Sequence, residues 1–169
     1  MKILGEKSLS SKTLVAVKIL FATSILAFLD LCFVIYKDIR DVVTQSHISQ
    51  TVSEFTLTIG IFISFIFFFI LLKNIIRFFD NLKNNICFDD SNIKYLNKSM
   101  NMIFFAGLVY LAMAIIESCF CYPDTESIAL SILLWILTSI FLCTSIALKI
   151  FIEIFKKAIE FKKENDFTI

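Results

Sequence analysis

The sequence is poor in the residues from which catalytic loops and metal sites are usually built. Its 169 residues include only three glycines, one proline and one histidine, His47. A glycine-rich phosphate loop needs several glycines close together, and a zinc site usually needs a compact set of histidines and cysteines. The five cysteines are instead spread along the chain. The sequence therefore predicts no catalytic site, no metal site, no cofactor and no enzymatic activity.

Charge is also scarce in this chain. Charged residues make up 18% of it and hydrophobic residues 58%, whereas an average soluble domain has about 25% and about 45–50%. The mean hydropathy is +0.84. A net charge of +1 gives no electrostatic reason to expect direct binding of nucleic acid. These figures predict an integral membrane protein whose first partner is the lipid bilayer.

Four runs of the sequence are long and apolar enough to cross a bilayer, at residues 14–36, 55–72, 99–122 and 127–148. A transmembrane helix needs about 20 predominantly apolar residues. The runs lack the alternating pattern of barrel strands, so helices are the remaining way to satisfy the backbone inside lipid. The predicted fold is all-α, a single domain over residues 1–169 built as a four-helix transmembrane bundle with helices that extend into the cytoplasm.

The basic residues are distributed unevenly around these runs. All but two of the 16 lysines and arginines lie at the N-terminal end, in the loop 73–98 or at the C-terminal end; the exceptions are Lys37 and Arg40. Lysine and arginine are enriched on the cytoplasmic side of membrane proteins. The distribution therefore predicts a multi-pass protein of the cell membrane with both termini in the cytoplasm.

The loop 73–98 carries signals for an ordered helix-to-helix connection. Asn84 and Asn85 are predicted to end the second helix. Asp89 is a suitable N-cap for the third helix, and Phe88 and Ile93 have the spacing of a hydrophobic staple around it. The third helix is therefore predicted to begin outside the hydrocarbon.

Two other polar segments flank the predicted spans. Residues 149–169 have apolar side chains at helical spacing, which predicts an amphipathic continuation of the fourth helix followed by a short tail. Residues 37–54 are predicted to form a long polar outer loop, apart from residues 37–41, which continue the first helix.

Two short segments resemble a known family. They read Asn84-Asn85-Ile86-Cys87-Phe88-Asp89-Asp90-Ser91-Asn92-Ile93-Lys94-Tyr95-Leu96 and Glu164-Asn165-Asp166-Phe167-Thr168-Ile169. The first resembles the loop-to-helix junction, and the second the C-terminal ending, of a bacterial four-span family catalogued as domain of unknown function 2975. That family commonly has Gly and Pro before the phenylalanine, where this sequence has Ile86 and Cys87.

The resemblance implies a role as well as a layout. Such proteins are often encoded beside a small helix-turn-helix regulator, so the resemblance implies a regulatory or sensory membrane partner of a cytoplasmic helix-turn-helix regulator. The candidate partner-binding residues are Phe88, Asp89, Asn92, Leu96, Asn165, Asp166, Phe167 and Thr168.

Two carboxylates within the predicted spans support an alternative function. Asp30 and Glu117 lie near the outer ends of the first and third runs, and charged groups inside a membrane are costly and often functional. A charged pair there is typical of a small transporter or an immunity-type membrane protein. Two interfacial carboxylates that simply reach water explain the same pattern, and we favour that interpretation.

The cysteines and small residues allow further interpretations. We expect the cysteines to behave as small apolar residues, although an outer disulfide from Cys32 to Cys119 or Cys121 stays open. Small residues recur on one face of the fourth helix, which fits packing inside the bundle better than a homo-oligomer seam. They are Ser131, Ser139, Cys143 and Ala147.

Overall fold

The computed structural model describes the backbone of residues 9–44, 48–120 and 125–167. Within these ranges the chain forms four α-helices and no strands. They are α1 (Leu9–Thr44), α2 (Ile48–Lys83), α3 (Asp90–Phe120) and α4 (Thr125–Phe167). Each contains a stretch long and apolar enough to cross a membrane. The predicted all-α, multi-pass architecture is therefore confirmed.

Every helix is longer than the apolar run that predicts it. The four helices contain 36, 36, 31 and 43 residues. At about 1.5 Å per residue α4 is about 64 Å long, whereas the hydrocarbon of a bilayer is about 30 Å thick. The helices therefore exceed the thickness of the hydrocarbon, as predicted for the C-terminal ends of the first, second and fourth helices and for the start of the third.

The prediction that residues 37–54 form a long outer loop is wrong. Residues 37–54 are helical as far as Thr44 and again from Ile48, so only residues 45–47 lie outside the described helices. This segment is polar but contains neither glycine nor proline. Serine, threonine and glutamine weaken a helix only slightly, so polarity outside the membrane does not by itself end one.

The helices pack in chain order. α1 packs against α2, α2 against α3, and α3 against α4. Among the described residues, no Cα atom of α1 comes within 8 Å of α3 or α4. The layer is therefore open on one side, and α1 is attached to the other three helices only through α2.

Aromatic rings form the contact between α1 and α2. The ring of Phe28 lies between those of Phe62, Phe65 and Phe69, with centroid separations of 5.2, 6.1 and 5.5 Å. Phe21 also meets Phe69 edge to face at 5.7 Å. Because lipid tails are as apolar as these rings, helix association here relies on close packing and ring geometry.

α3 and α4 bury side chains at a spacing of seven residues. The buried positions are Asn92, Ser99, Ala106 and Met113 on α3 and Thr138, Ser145, Ile152 and Ile159 on α4. A seven-residue repeat is the signature of left-handed, coiled-coil-like packing, and small residues let helices approach closely in lipid. Ser145 also donates a hydrogen bond to the Met100 carbonyl across this interface, at 3.4 Å.

Gly60 lies at a close approach between α2 and α3. A Cβ atom built on Gly60 would overlap the side chain of Met113, and its Cγ and Cε atoms would lie 2.8 Å away. Met113 itself is buried beside Ala114 and Leu134. The absence of a side chain at residue 60 therefore makes room for Met113.

We expect Gly60→Ala to destabilise the bundle by about 1–3 kcal/mol, because the added methyl group overpacks the contact with Met113. Thermal unfolding of the detergent-solubilised protein measures this. In the double variant Gly60→Ala, Met113→Ala, the loss should be smaller than the sum of the two single losses. A strictly additive result would show that the two residues do not interact.

Four lysines, one on each helix, lie at a common level, and we call them the lysine ring. They are Lys18, Lys73, Lys98 and Lys149, all exposed. Neighbouring helices run antiparallel. For each two neighbouring helices, both lysines lie within about one turn of a contact between those helices, and both lie on the same side of that contact. Those contacts are Phe21 with Phe69, the Arg77 guanidinium over the Tyr95 ring at 5.9 Å, and Ser145 with Met100.

The spacing of charged residues along the helices matches the thickness of the hydrocarbon. Lys37, Glu54 and Glu117 each lie 19 residues from the ring lysine of their own helix. That separation is about 28 Å along a helix, close to the thickness of the hydrocarbon. Glu117 therefore lies about one hydrocarbon thickness from the lysine ring, and α4 continues 18 residues past Lys149.

Candidate functional site

The connection from α2 to α3 begins with a helix stop centred on Asn85. This residue has a φ of 61°, in the left-handed region. Its N–H donates to the Leu82 carbonyl at 3.2 Å, and the Ile86 N–H donates to the Asn81 carbonyl at 2.9 Å. This is a Schellman ending, for which asparagine is the usual alternative to glycine. The predicted stop at Asn84 and Asn85 is confirmed.

Asp89 starts α3. Its Oδ1 accepts a hydrogen bond from the Ser91 N–H at 2.7 Å, the geometry of an N-cap. Hydrogen bonds from the Ser91 side chain and then from the Ser91 backbone lower the pKa of the exposed Asp89 carboxyl. The cap therefore stays ionised at neutral pH, and the predicted N-cap is confirmed.

Asn92 holds the connection together. It is 0% exposed, and its Nδ2 donates to the carbonyls of Ile86 and Cys87 at 2.8 Å each. Its Oδ1 accepts from Asn81 Nδ2 of α2 at 2.8 Å. One buried amide therefore satisfies two backbone carbonyls and joins the connection to the helices on both sides of it.

The connection also contacts the projecting part of α4. The Phe88 ring stacks on Phe155 with centroids 6.2 Å apart, and Lys162 Nζ lies 5.3 Å from the Phe88 ring centroid. Asp90 accepts from Lys163 Nζ at 3.1 Å. Stacking, a cation–π contact and an ion pair thus attach this end of α4 to the start of α3.

The predicted partner-binding residues do not form one surface. Phe88 and Asp89 are exposed, whereas Asn92 and Leu96 are buried. Buried side chains cannot meet a partner, so the partner-binding role expected of Asn92 and Leu96 is corrected to a structural one. The polar side chain of Asn92 serves its hydrogen bonds inside the connection between α2 and α3, residues 84–89, which we call the junction.

The C-terminal candidates lie at the end of α4. Asn165 is exposed there. Asp166 and Phe167 belong to the last turn of the helix, but their side chains are outside the described part of the structure, as is Thr168 altogether.

The structure does not bring Asp30 and Glu117 together. Asp30 lies on an exposed face of α1, and Glu117 is only 4% exposed on α3. These two helices do not come within 8 Å of each other in the ranges described above. The geometry therefore gives no support to a shared charged site, which was the basis of the transporter alternative.

The cysteines that the structure describes are free thiols, at Cys32, Cys87, Cys119 and Cys143. A disulfide needs Cα atoms about 4.4–6.8 Å apart, and α1 and α3 stay farther apart than that, so a Cys32–Cys119 bridge is excluded. Cys121 lies outside the described residues.

The small-residue face of α4 points outward. Ser139, Cys143 and Ala147 are exposed, and Ser131 shares a hydrogen bond of 2.7 Å with Ser118. The expectation that this face packs inside the bundle is wrong for the first three. α4 buries its Thr138–Ser145–Ile152 face instead, which points in another direction around the helix.

An exposed apolar surface lies on the lysine side of α4, and we call it the α4 ridge. It consists of Ile150, Ile154 and Phe161, which are 59%, 62% and 65% exposed. A surface hollow of about 300 Å³ lies along it, lined by Lys149, Ile150, Glu153, Ile154 and Lys157. Residues at i, i+3, i+4 and i+7 form the hole that receives a side chain of a partner helix.

Several residues that build this site carry no clear signal in the sequence. They lie on helical segments and do not stand out from their neighbours in the sequence: the amide Asn81, the aromatic residue Phe155, and the lysines Lys162 and Lys163. Only the regular spacing of Asn74 and Asn81, seven residues apart on α2, singles out a face. Their partners are decided by the tertiary arrangement of α2, α3 and α4.

Asn92→Leu should destabilise the junction by about 3 kcal/mol or more, because it removes the donor to the carbonyls of Ile86 and Cys87 and the acceptor of Asn81 Nδ2. The readouts are thermal unfolding and the rate of proteolysis within residues 84–89. Asn84→Leu, at an exposed position of the same turn, is the matched control. Equal stability of the two variants would contradict the structural role of Asn92.

Comparison with known proteins places these features in a family. Residues 34–169 match the family described as protein of unknown function (DUF2975). No curated protein and no solved structure matches the chain. The matched range includes α2, the junction, α3 and α4, and it covers well over half of the chain. The resemblance noted in residues 84–96 and 164–169 is thereby confirmed, and the chain belongs to the DUF2975 family.

Proposed function

We propose that this protein is a membrane-anchored regulatory partner of a cytoplasmic protein, with a small helix-turn-helix regulator as the class of partner that the family resemblance implies. The observation that carries the proposal is the α4 ridge. It presents exposed apolar side chains on the part of α4 that continues past the lysine ring.

The significance of the exposed ridge depends on whether it lies inside the hydrocarbon or outside it. Apolar side chains that face lipid are in a favourable solvent. α4, however, continues 18 residues beyond Lys149, which is about 27 Å along the helix. Apolar residues there face water, and an exposed apolar patch on a soluble surface favours a protein partner. Ile150 and Ile154 have the i, i+4 spacing with which helices anchor to one another.

The junction supports the ridge as a rigid surface. Phe88, Asp90 and Asn92 connect α4 to α3 and α2 through the contacts described above. Lys162 adds positive charge over the exposed Phe88 ring, while the charge of Lys163 is paired with Asp90. A partner with an apolar helix face bordered by acidic residues fits this surface best.

The proposal includes an orientation. We infer that the lysine ring faces the cytoplasm and that both termini lie on that side of the cell membrane. The level arrangement of the four lysines supports this, because the excess of basic residues marks the cytoplasmic boundary. The ridge and the junction then lie where a cytoplasmic protein can reach them.

Replacing both Ile154 and Phe161 by serine should reduce retention of the partner roughly tenfold, because the variant removes two apolar anchors. The measurement is a crosslinked pull-down of the tagged full-length protein from native membranes, quantified by mass spectrometry. Glu160→Ser, at the exposed position beside Phe161, is the matched control and should retain the partner. A separate deletion of residues 165–169 tests the contribution of the C-terminal segment.

Recovery of a small DNA-binding protein that is lost in the serine variant supports the proposal. Recovery of lipid and the tagged chain alone would overturn it, and Asp30→Asn and Glu117→Gln would then be the variants to test for flux or resistance. Unchanged retention in the serine variant would show that the ridge is not the docking surface.

Cys87 reports the orientation. In a variant that keeps only this cysteine, a membrane-impermeant maleimide should label the thiol after permeabilisation and not in intact cells. Burial raises the pKa of Cys87, while Lys162 lowers it by a smaller amount. Because the thiolate is the reactive form, the labelling rate should rise with pH through and above the ordinary thiol range. Labelling of intact cells would contradict the orientation.

A further inference from the structure

Arg77 of α2 lies against Tyr95 of α3. Its Cζ atom is 5.9 Å from the centroid of the Tyr95 ring. Arg77 is exposed and Tyr95 is half-buried. A guanidinium over an aromatic ring still has its N–H groups available for a bidentate contact with a phosphate or a carboxylate. The ring therefore positions Arg77 without using its donors.

Two lysines lie one turn from this contact. Lys73 precedes Arg77 by four residues, and Lys98 follows Tyr95 by three. Because α2 and α3 run antiparallel, both steps lead in the same direction, toward the apolar stretches of the helices. The steps are about 6 Å and about 4.5 Å long. Lys73 and Lys98 therefore lie at nearly one level on the two helices.

The two lysines also lie on the same side of the helix layer. At about 100° per residue, Lys73 is rotated by about 40° from Arg77 around α2, and Lys98 by about 60° from Tyr95 around α3. The two rotations have the same sign within their own helices. Antiparallel helices turn in opposite senses when viewed from one end. Both lysines therefore point away from the contact toward the same side.

The other side of the layer contains a groove of about 470 Å³. Leu71 of α2 lines it and is rotated by about 120° from Arg77, in the sense opposite to the lysine of the same helix. Ile103 of α3 lines it and is rotated by about 80° from Tyr95, again in the sense opposite to the lysine. No charged residue of the described chain is among the lining residues. The layer thus has an apolar side with a groove and a basic side.

The basic side carries a group of cations that we call the basic cluster, which consists of Lys73, Arg77 and Lys98. All three are exposed, and no carboxylate in the described part of the chain forms an ion pair with them. The nearest carboxylate of α2 is Asp80, one turn beyond Arg77 and away from the apolar stretch. The nearest of α3 is Asp90, which is already paired with Lys163. The cluster therefore has more positive than negative charge around it.

The basic cluster lies where the apolar stretches of α2 and α3 end. Residues 55–72 and 99–116 contain no charged residue, and Lys73 and Lys98 follow directly at their ends. Seven residues deeper on the same side, Ile66 and Phe105 are 42% and 45% exposed. Seven residues are about two helical turns. An exposed apolar strip therefore leads from the cluster along both helices into the apolar region.

This combination of charge and apolar surface favours an anion that carries hydrocarbon. Basic sites between transmembrane helices bind the headgroups of anionic lipids. The arginine supplies a planar fork for phosphate oxygens, and the lysines supply point charges. The axes of packed helices are about 8–10 Å apart, so one phosphate between Lys73 and Lys98 can contact both.

We propose that Lys73, Arg77 and Lys98 bind the phosphate of an anionic phospholipid, with an acyl chain along Ile66 and Phe105. The site lies on the side of the layer opposite to the groove. It is independent of the cytoplasmic partner and of the orientation of the protein, because it depends only on the side chains of α2 and α3.

Photocrosslinking in vesicles tests the site. The full-length protein is reconstituted in phosphatidylcholine with a trace of phosphatidylglycerol that carries a diazirine in its acyl chain. Adducts should concentrate at Ile66 and Phe105, which we call the seam adducts, above those at Ile140, an exposed residue of α4. The same probe with a phosphatidylcholine headgroup should give no such enrichment. Equal enrichment with both probes would overturn the anionic ligand.

Glutamine variants test the three cations. With the phosphatidylglycerol probe, each change of Lys73, Arg77 or Lys98 to glutamine should lower the seam adducts roughly fivefold, the effect of about one basic residue near an anionic lipid. Lys149→Gln is the matched control, because Lys149 is exposed at the same level on α4, and it should leave them unchanged. An equal loss in the control would overturn the site, since it would show that general surface charge attracts the lipid.

Inorganic phosphate separates a lipid headgroup from a soluble ion of the same chemistry. An excess of inorganic phosphate should leave most of the seam adducts in place when compared with chloride at equal ionic strength, because the ion has no contact with the apolar strip. Complete displacement of the probe by inorganic phosphate would show that a soluble anion occupies the cluster and would overturn the lipid as its ligand.

Discussion

Hydrocarbon offers no hydrogen-bond partner to a peptide group, and the remainder of this structure depends on that constraint. Inside lipid each N–H and C=O must be satisfied within its own helix, so the apolar runs form long, uninterrupted helices. Within the described residues, the backbone departs from helix at residues 84–89, past the lysine ring. At residues 84–89, the one such connection that the structure describes, the backbone groups no longer bond within a helix. The Schellman hydrogen bonds, the Asp89 cap and the Asn92 amide supply their partners instead.

Lipid also weakens the usual reason for helices to associate. Where the solvent is as apolar as the side chains, close packing and specific polar contacts must hold the layer together. Ser145 of α4 donates to the Met100 carbonyl of α3, Asn92 of α3 bonds Asn81 of α2, and α2 approaches α3 at Gly60. α1 has only its ring contacts with α2, and its distance from α3 and α4 leaves the lateral groove open. The groove is thus a direct consequence of serial packing.

The same chain presents a different chemistry beyond the lysine ring. With the hydrocarbon boundary inferred at the lysine ring, the solvent there is water, and the hydrophobic effect again penalises exposed apolar surface. Phe88 and Phe155 shield one another by stacking, and the Asp90–Lys163 ion pair lies beside them. The ridge residues Ile150, Ile154 and Phe161 are not covered in this way.

The sequence by itself determined the number of helices, the membrane environment, the helix stop at Asn85 and the cap at Asp89, because each depends on local chemistry or on the composition of one segment. It did not determine the helix ends at residues 37–54, where polarity resembled a loop although no residue breaks the helix. Nor did it separate Asn92 and Leu96, which are buried, from Phe88 and Asp89, which are exposed. Only the tertiary structure decided that distinction. It also decided the separation of Asp30 from Glu117, the outward direction of Ser139, Cys143 and Ala147, and the groove beside α1. The physical reason is that helices in lipid are apolar on nearly every face, so hydrophobic periodicity cannot say which face meets a neighbour, and only the packing of specific small, aromatic and amide side chains selects it.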